Sequence, residues 1–503
     1  MKYIKVDTIY ISVFLLFYVF VLFLGCSKFS PLYDFNYWAD INIYFNIGKG
    51  IWSDKVAYKD LFDHKGPIIF FIYSIGYLIS HTTFLGMFFV QVLFQFVALY
   101  FSYLSIKLFV NQRLAILLSL LVPLFLLVFS QDGGSAEEFI YVFQIISLYF
   151  ILKYFKKNES VSPLYSMLIH GICLSTVFFI KLNLIVFWFF PVLIIFIDIL
   201  IKRGSKYLLY SIIGLFSGIS LVTLLLVFYF YYHKALGDLW SGYFEFNFLY
   251  GELHISSIKD FILGIIAQIY RTTLSYYIVL PLIFLGILFF TFSSVFKSIL
   301  GRLALSLSAL FLIVIIVTTR VLLTYYLISF SVFSVLTCIM IGVIIEKYLK
   351  WYGKNKYGYY ILFFIICIVF GVYQKNFFGY SLSTLYSRQF SLTEVEVFEN
   401  EIKKEADPTL LVAGFKKGLP IFTKMDILPN TKYFFFPNIH HEVFPALRDG
   451  QTKYILNQDV DFIVIYERFR YYNYYKEIIE KHYKVGRTFE SKDVGIVFLY
   501  ERM

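Results

Sequence analysis

An aspartate in an aromatic segment could act as a general base. The segment reads YDFNYWADINIYFNIGKG over residues 33–50, and as a helix it would place Asn42, Asn46 and Lys49 on one polar stripe. Asp40 falls on the opposite face, among apolar and aromatic side chains. Burial against such surface makes a carboxylate a stronger base, so Asp40 could take a proton from a hydroxyl group. Helix capping or pairing with a nearby lysine is the structural alternative.

Two further clusters carry charge in a chain that is otherwise strongly apolar. YKDLFDHKGP, residues 58–67, combines both charge signs immediately before an apolar run. QDGGSAEEF, residues 131–139, has two glycines that permit a sharp turn, and Glu137 and Glu138 then open a helix, where the dipole favours carboxylates. Capping explains one of these glutamates, but the pair together with Asp132 exceeds what a cap requires.

The remaining candidates could contact a sugar or a lipid phosphate. LWSGYFEFNFLYGELH, residues 239–254, places Asn247 and Tyr250 among aromatic rings, which suits stacking on a sugar ring or an interfacial aromatic belt. Lys181 and Arg320 each interrupt an apolar run at the predicted end of a helix. Such cations either extend toward water or hold a phosphate group, and the planar guanidinium of arginine is well shaped for phosphate.

Long apolar runs must position these residues. The 503-residue chain is 59% hydrophobic, with 61 Phe and 44 Tyr and a mean hydropathy of +0.74, which excludes a soluble globular protein. Its net charge of +11 is no evidence for a nucleic-acid partner, because membrane proteins concentrate Lys and Arg in cytoplasmic loops. A span needs about 20 apolar residues. Eleven runs are predicted to span a membrane: 7–27, 84–108, 113–130, 138–155, 164–181, 183–201, 206–232, 273–296, 302–319, 322–346 and 357–374.

The apolar run 67–80 is the exception, because it is too short for a typical span. If it does not cross, and the N-terminus is cytoplasmic, the short basic loops all lie on the cytoplasmic side, as the positive-inside tendency requires. The segments 28–83, 131–137 and 233–272 and the tail then share the extracytoplasmic face. We therefore predict a multi-pass protein of the bacterial cytoplasmic membrane with an extracytoplasmic site and outer juxtamembrane helices.

The C-terminal part changes to a charged, alternating pattern. Residues 409–415, 461–469 and 493–501 are predicted strands, and 474–484 is a predicted amphipathic helix. The sequence thus predicts two domains, a membrane domain at 1–375 and a small extracytoplasmic α/β domain at 376–503.

The order of these motifs resembles a known superfamily. WADINIYFNIGKGI, YKDLFDHKGPIIFFIYSIG, GGSAEEF, FEFNFLY and RVLLTYYL follow one another as in bacterial polyprenyl-phosphate-sugar-dependent glycosyltransferases of the GT-C superfamily, relatives of protein O-mannosyltransferases and of the lipid A aminoarabinose transferase. The resemblance covers most of residues 1–346. It implies a GT-C fold, a catalytic Asp40 followed four positions later by Tyr44, and an inverting transfer of a hexosyl or pentosyl group.

The resemblance also implies roles for the other candidates. Lys65, with Arg320 and Lys181, would face the donor phosphate. Asp63 or His64 would orient a hydroxyl group or a divalent ion. The resemblance implies no definite cofactor, but it leaves a divalent metal possible. The departures from the family pattern are His64 and Gly66 in the acidic-Lys-Pro element and Ser135-Ala136 before Glu137. The predicted sugar and acceptor contacts are Tyr44, Asp63, His64, Glu137, Asn247 and Tyr250, and the predicted metal ligands are Asp63, His64 and Glu137.

The implied partners are a polyprenyl-phosphate-linked sugar, a cell-envelope glycan, lipid or protein acceptor, and the lipid bilayer, without nucleic acid. A polysaccharide polymerase or ligase that joins lipid-linked glycans is the nearest alternative. A transporter or lipid flippase is a different class. The sequence argues against transport, because the predicted spans show no ionisable pair near the bilayer midplane and no repeat between halves.

Overall fold

The computed structural model describes residues 6–157, 163–250, 258–318, 323–348, 382–388 and 390–503. The chain divides into two compact units. The membrane unit comprises Met1–Ser27, Gln91–Leu226 and Leu253–Gly379, and the α/β unit comprises Lys28–Val90, Val227–Glu252 and Tyr380–Met503. The predicted domain boundary after residue 375 lies outside the described residues and stays a prediction.

Sixteen helices precede the C-terminal part among the described residues. They are α1 (Val6–Cys26), α2 (Ala39–Ile51), α3 (Pro67–Ile79), α4 (Leu85–Lys107), α5 (Gln112–Ser119), α6 (Val122–Phe129), α7 (Ala136–Lys157), α8 (Pro163–Phe178), α9 (Val186–Arg203), α10 (Ser205–Tyr232), α11 (Leu236–Leu239), α12 (Phe246–Tyr250), α13 (Ile258–Ser275), α14 (Val279–Phe292), α15 (Ile299–Val317) and α16 (Ser334–Tyr348). Short 3₁₀-helices cover Leu182–Ile185, Thr324–Ile328 and Phe330–Phe333, and a π-helix covers Trp240–Glu245.

Eight stretches of described helix are long and apolar enough to span a membrane, or nine if one bent pair counts as a single span. The bent pair replaces the continuous span predicted at 273–296, because α13 and α14 meet at 114°. The run predicted at 164–181 forms the shorter apolar helix α8, and the run 357–374 lies outside the described residues. The protein is a multi-pass helical membrane protein.

Small residues allow close packing inside the membrane unit. A Cβ atom at Gly171 of α8 would lie 2.1 Å from the carbonyl oxygen of Leu215, and one at Gly218 of α10 would lie 2.2 Å from that of Leu168. Helices in a bilayer gain little from hydrophobic burial, so they associate through such close backbone approach.

The helices α2 and α3 pack together in the α/β unit. Gly48 permits their close approach, because a Cβ atom there would lie 2.7 Å from the backbone nitrogen of Ser74. Helix α3 has 13 residues, which is fewer than a span needs, as the sequence predicts for 67–80. Its place at the outer membrane surface stays a prediction.

The C-terminal part builds a four-stranded sheet. Its elements are α17 (Leu382–Ser387), α18 (Glu394–Ile402), β1 (Leu410–Val412), α19 (Leu419–Lys424), α20 (Pro445–Leu456), β2 (Phe462–Tyr466), α21 (Tyr472–Ile479), β3 (Tyr483–Ser491) and β4 (Gly495–Arg502). The strand order is β1-β2-β4-β3, with β1 and β2 parallel and the other pairs antiparallel. The three predicted strands are confirmed as β1, β2 and β4. Strand β3 is missed by the sequence analysis, and the helix predicted at 474–484 ends earlier, at Ile479.

Two residues from distant segments complete the core of this sheet. Phe62 and Phe246 are buried in the same apolar cluster as Leu411, Ile463 and Tyr500. The backbone nitrogen of Phe62 also donates a hydrogen bond to the carbonyl oxygen of Lys432, at 2.9 Å. Two of the candidate motifs, 58–67 and 239–254, therefore each contribute a phenylalanine to the core beside the sheet.

Candidate active site

Asp40 occupies the first turn of α2, directly after the extended backbone of Trp38 and the first helical residue, Ala39. Of the residues from Ala39 to Gly50, all of which the structure describes, Asp40 alone is not buried. The N-terminus of a helix favours the carboxylate form, because its backbone N–H groups carry partial positive charge. Asp40 is therefore a partly exposed carboxylate on a helix that is otherwise enclosed, and the expectation that it is buried against apolar side chains is wrong.

Tyr44, four residues after Asp40, lies inside the packing between α2 and α3. Its side chain is 2% exposed, and its ring centroid is 5.4 Å from that of Tyr73 and 6.2 Å from that of Phe70. Such edge and tilted ring contacts stabilise aromatic cores. The contact of Tyr44 with a sugar stays a prediction, and the role that its position supports is to fix the face of α2 beside Asp40.

Asp63, His64 and Lys65 form a polar chain. The Oδ1 atom of Asp63 lies 3.0 Å from Nδ1 of His64, and Nε2 of His64 lies 3.5 Å from Nζ of Lys65. Burial alone would raise the pKa of the Asp63 carboxyl, but the charges of His64 and Lys65 and the hydrogen bond from His64 outweigh it and hold that pKa below its usual value. A carboxylate on Nδ1 fixes the orientation of the imidazole ring, which leaves Nε2 directed toward Lys65.

The second carboxylate oxygen of Asp63 could accept a hydrogen bond from a further group. The side chain is 3% exposed, and Oδ2 has no hydrogen-bond partner among the described residues. A buried carboxylate oxygen is costly to leave unbonded, so this atom marks a polar position in the site.

A strained tyrosine, which the sequence analysis missed, supports this chain. Tyr58 has a positive φ of 68°, is 1% exposed, and donates a hydrogen bond from its hydroxyl group to the carbonyl oxygen of Lys65. Its ring fits only because residue 242 is glycine, since a Cβ atom there would lie 2.5 Å from a ring carbon. Bulky residues with positive φ are rare and cluster at functional sites, yet the letters YKDLFDHKGP give no signal of it.

Residues 243–250 contact the same place. The side-chain amide nitrogen of Asn247 donates to the carbonyl oxygens of His64 and Tyr243, both at 2.6 Å. The His64 ring lies 5.5 Å from the ring centroids of both Phe246 and Tyr250, and Tyr250 is 44% exposed. The π-helix before α12 is a turn type that recurs at functional sites. Two motifs separated by about 180 residues thus converge on His64.

Glu137 and Glu138, the acidic pair of the membrane unit, bond different partners. Glu138 is buried and accepts hydrogen bonds from Gln91 at 2.7 Å, Ser130 at 2.7 Å and the backbone nitrogen of Gly134 at 3.1 Å. Gly133 and Gly134 both have positive φ, as the sharp turn predicted there requires. Glu138 therefore holds this turn together, which leaves Glu137 for other contacts.

Glu137 and Lys181 form an ion pair inside the membrane unit. Oε1 of Glu137 lies 2.6 Å from Nζ of Lys181, which lies 3.7 Å from the ring centroid of Tyr326. The carboxylate is 1% exposed. Lys181 thus has a carboxylate and an aromatic face as partners, and its contact with a donor phosphate stays a prediction. Arg320 lies outside the described residues.

The described residues contain no group of three or more His, Cys, Asp or Glu side chains that could hold a metal ion. Of the predicted ligands, Asp63 and His64 bond each other in the α/β unit, whereas Glu137 bonds Lys181 in the membrane unit.

Comparison with known proteins identifies the fold. No family model and no curated protein matches the sequence. Among solved structures, the chain is similar to the lipid A aminoarabinose transferase ArnT from Cupriavidus metallidurans, with a TM-score of 0.59 for the apo state and 0.60 for the protein bound to undecaprenyl phosphate. In both, 12% of residues are identical, and the match covers 98% of this chain and 97% of ArnT.

The apo oligosaccharyltransferase from Archaeoglobus fulgidus is also similar, with a TM-score of 0.52, 13% identity, and coverage of 100% of this chain and 75% of that protein. These neighbours share the GT-C fold, so the fold predicted from the motif order is confirmed. Identities of 12–13% show the fold alone.

Proposed function

We propose that this protein is a glycosyltransferase that moves a sugar from a polyprenyl-phosphate donor to a cell-envelope acceptor. The observation that carries the proposal is the placement of Asp40 as the single residue between Ala39 and Gly50 that is not buried, in a chain with the GT-C fold. Two facts about neighbours support the donor class: ArnT is found bound to undecaprenyl phosphate, and the A. fulgidus protein is an oligosaccharyltransferase.

The reaction is a single displacement. Asp40 accepts the proton of the acceptor hydroxyl group as its oxygen attacks the anomeric carbon of the sugar. The bond between that carbon and the phosphate oxygen breaks, and polyprenyl phosphate leaves with the electron pair, so the anomeric configuration inverts. Lys65, in the same unit as Asp40, stabilises the negative charge of the leaving phosphate. No nucleotide takes part.

The groups around His64 orient the reactants. Asp63 holds the imidazole ring, and Asn247 holds the backbone at His64. The half-exposed ring of Tyr250 presents an aromatic face to a sugar, a geometry that favours stacking over hydrogen bonding. These residues contribute by positioning, which can be as important for rate as the base itself.

The first experiment tests the base. Purified wild-type protein and Asp40→Asn in lipid nanodiscs are assayed with undecaprenyl-phosphate-linked hexoses and pentoses, using cell-envelope extract as the acceptor pool. Asp40→Asn should lower kcat by about 10²–10⁴, the usual contribution of a general base, with an unchanged thermal midpoint. The matched control is Asp54→Asn, at an exposed aspartate just after α2, which should transfer normally. Near-normal transfer by Asp40→Asn removes Asp40 from the mechanism.

The product distinguishes the two candidate activities on the extracytoplasmic face. The similarity to an oligosaccharyltransferase favours transfer of a preassembled glycan as the second candidate. Mass spectrometry of envelope glycans from cells with and without the protein should show a mass difference of one sugar residue. A difference of several residues would assign the protein to the polymerase or ligase class.

The site is proposed to face outward across the bacterial cytoplasmic membrane. His81→Cys, in the turn after α3, should react with an impermeant thiol reagent in intact cells, or in spheroplasts where an outer membrane intervenes. Lys354→Cys should stay protected. The reverse pattern would contradict this orientation.

A further inference from the structure

The polar stripe of α2 is buried rather than hydrated. The side chains of Asn42 and Asn46 are fully enclosed, and Lys49 is 1% exposed. All three contact the C-terminal part of the chain between residues 419 and 427, which comprises α19 and the turn after it. We call residues 419–427 the clasp. Buried polar groups need partners, and the clasp supplies them along the length of α2.

Thr423 lies at the centre of the clasp and joins two residues of α2. Its hydroxyl group accepts a hydrogen bond from the amide nitrogen of Asn46 at 2.9 Å and donates one to the side-chain oxygen of Asn42 at 2.8 Å. One hydroxyl group thus uses both its donor and an acceptor position, with all three side chains buried. An apolar residue of the same shape at this position would leave both amides without this partner.

Asn42 passes this constraint to the start of α2. Its amide nitrogen donates to the carbonyl oxygen of Asn36 at 2.9 Å and to that of Trp38 at 2.8 Å. Trp38 is the residue at which the extended chain turns into the helix, and Asp40 follows two positions later. The bonds therefore run from Thr423 through Asn42 to the backbone that sets the position of Asp40.

The clasp also contacts both ends of this segment. Nζ of Lys49 donates to the carbonyl oxygens of Phe422 at 2.8 Å and Ile427 at 3.1 Å, and it lies 3.0 Å from Oδ1 of Asp426. At the other end, Nζ of Lys424 donates to the hydroxyl oxygen of Tyr37 at 2.9 Å.

Tyr37 has a second partner in the same part of the chain. Its hydroxyl group donates to Oε1 of Glu396, at 3.0 Å, and Glu396 also forms an ion pair with Lys424. Burial opposes ionisation of Glu396, yet the bonds from Lys424 and Thr393 lower its pKa to about 2, so the carboxylate is charged at neutral pH.

We propose that the clasp positions Asp40 for proton transfer, with Thr423 as the principal positioning residue. This inference rests on the proposed function, because it gives the C-terminal part a direct role in the rate of the same reaction. The energetic reason is that small errors in the placement of a reacting group reduce rates by large factors, so a rigid support for α2 favours catalysis. Thr423 acts through Asn42 and need not touch substrate.

The test replaces the bridging hydroxyl group while keeping the shape of the side chain. Thr423→Val should lower kcat at least 10-fold and leave KM for the undecaprenyl-phosphate sugar within twofold, whereas Thr423→Ser should restore at least half of the wild-type kcat. The matched control is Thr452→Val in α20, where the hydroxyl group bonds the carbonyl oxygen of Arg448 and the hydroxyl group of Tyr474 rather than α2, and this variant should retain full activity. Lys424→Met removes the bond to Tyr37 at a less buried position and should lower kcat in the same way.

Hydrogen exchange of backbone amides measures how stably α2 is held, independently of transferase activity. Amides of residues 39–51 should exchange at least 5-fold faster in Thr423→Val than in wild type or Thr452→Val, with the thermal midpoints of all three alike. If wild type fails to use the lipid-linked donor but this exchange difference appears, the proposed function is wrong and the clasp is supported. If wild type is active and both Thr423→Val and Lys424→Met keep the wild-type kcat, the positioning role is refuted. A loss of kcat that Thr423→Ser does not rescue refutes it equally.

Discussion

Burial of Lys49 should make the stability of the α/β unit rise with pH. Enclosure of the ammonium group lowers the pKa of Lys49 from 10.5 to about 8, although the charge of Asp426 and its hydrogen bond offset part of this effect. A difference of this size corresponds to about 3 kcal/mol between the charged and neutral amine. The side chain is 2% exposed, so solvent screening reduces the value little.

The sign follows from proton binding in the two states. Below about pH 8 the lysine is protonated in both the folded and the unfolded chain, and the folded state bears the full cost of burying the charge. Between about pH 8 and 10.5 the folded state releases its proton while the unfolded state keeps it, so the free energy of unfolding increases with pH. Relative to Lys49→Met, which cannot titrate, wild type should gain about 2.5 kcal/mol between pH 7 and 10.

Thermal unfolding in detergent, followed by tryptophan fluorescence, measures this gain. For a cooperative unit of this size it corresponds to a relative increase in the thermal midpoint on the order of 5–10 °C. The control is Lys59→Met, at an exposed lysine of the same unit, for which the difference from wild type should stay constant over this pH range. A constant difference for Lys49→Met as well would refute the inference that the buried ammonium group is costly.

Three further variants test the site. Gly242→Ala should lower sugar transfer at least 10-fold, because the added methyl group would lie 2.5 Å from the ring of the buried Tyr58. The control Gly237→Ala has open space around the added methyl group and should be active. Both variants are measured in the assay with the lipid-linked donor. Lys181→Met should destabilise the protein by about 3–5 kcal/mol, because it leaves the buried carboxylate of Glu137 without its charge partner. The double variant that also carries Glu137→Gln should regain most of the decrease in thermal midpoint. Arg320→Lys should raise KM for the lipid-linked donor about 10-fold without changing the acceptor dependence, because lysine lacks the two-pronged phosphate contact; a shift of the acceptor curve alone would contradict this role.

The membrane spans could be predicted because they are a local property of the sequence. A run of about 20 apolar residues must be helical in a bilayer, whatever the rest of the chain does. The same local argument identified 67–80 as too short to span, and α3 has 13 residues. Strand β3 was missed for a related reason: it lies at the edge of the sheet with most of its side chains exposed, so its sequence lacks the apolar alternation of a buried strand.

The amino-acid sequence by itself thus determined the fold class, most of the apolar spans and the candidate residues of each motif, whereas the bend between α13 and α14 became visible only in the structure. Only the tertiary structure decided which polar groups meet. The polar stripe of α2 shows why: Asn46 bonds Thr423 across 377 positions of chain, and Asn247 bonds His64 across 183. Helical periodicity places Asn42 and Asn46 on one face, but it carries no information about whether water or another segment covers that face. Which group a buried polar side chain bonds depends on how distant segments pack together. That bond decides whether burial of the side chain costs free energy or stabilises the fold.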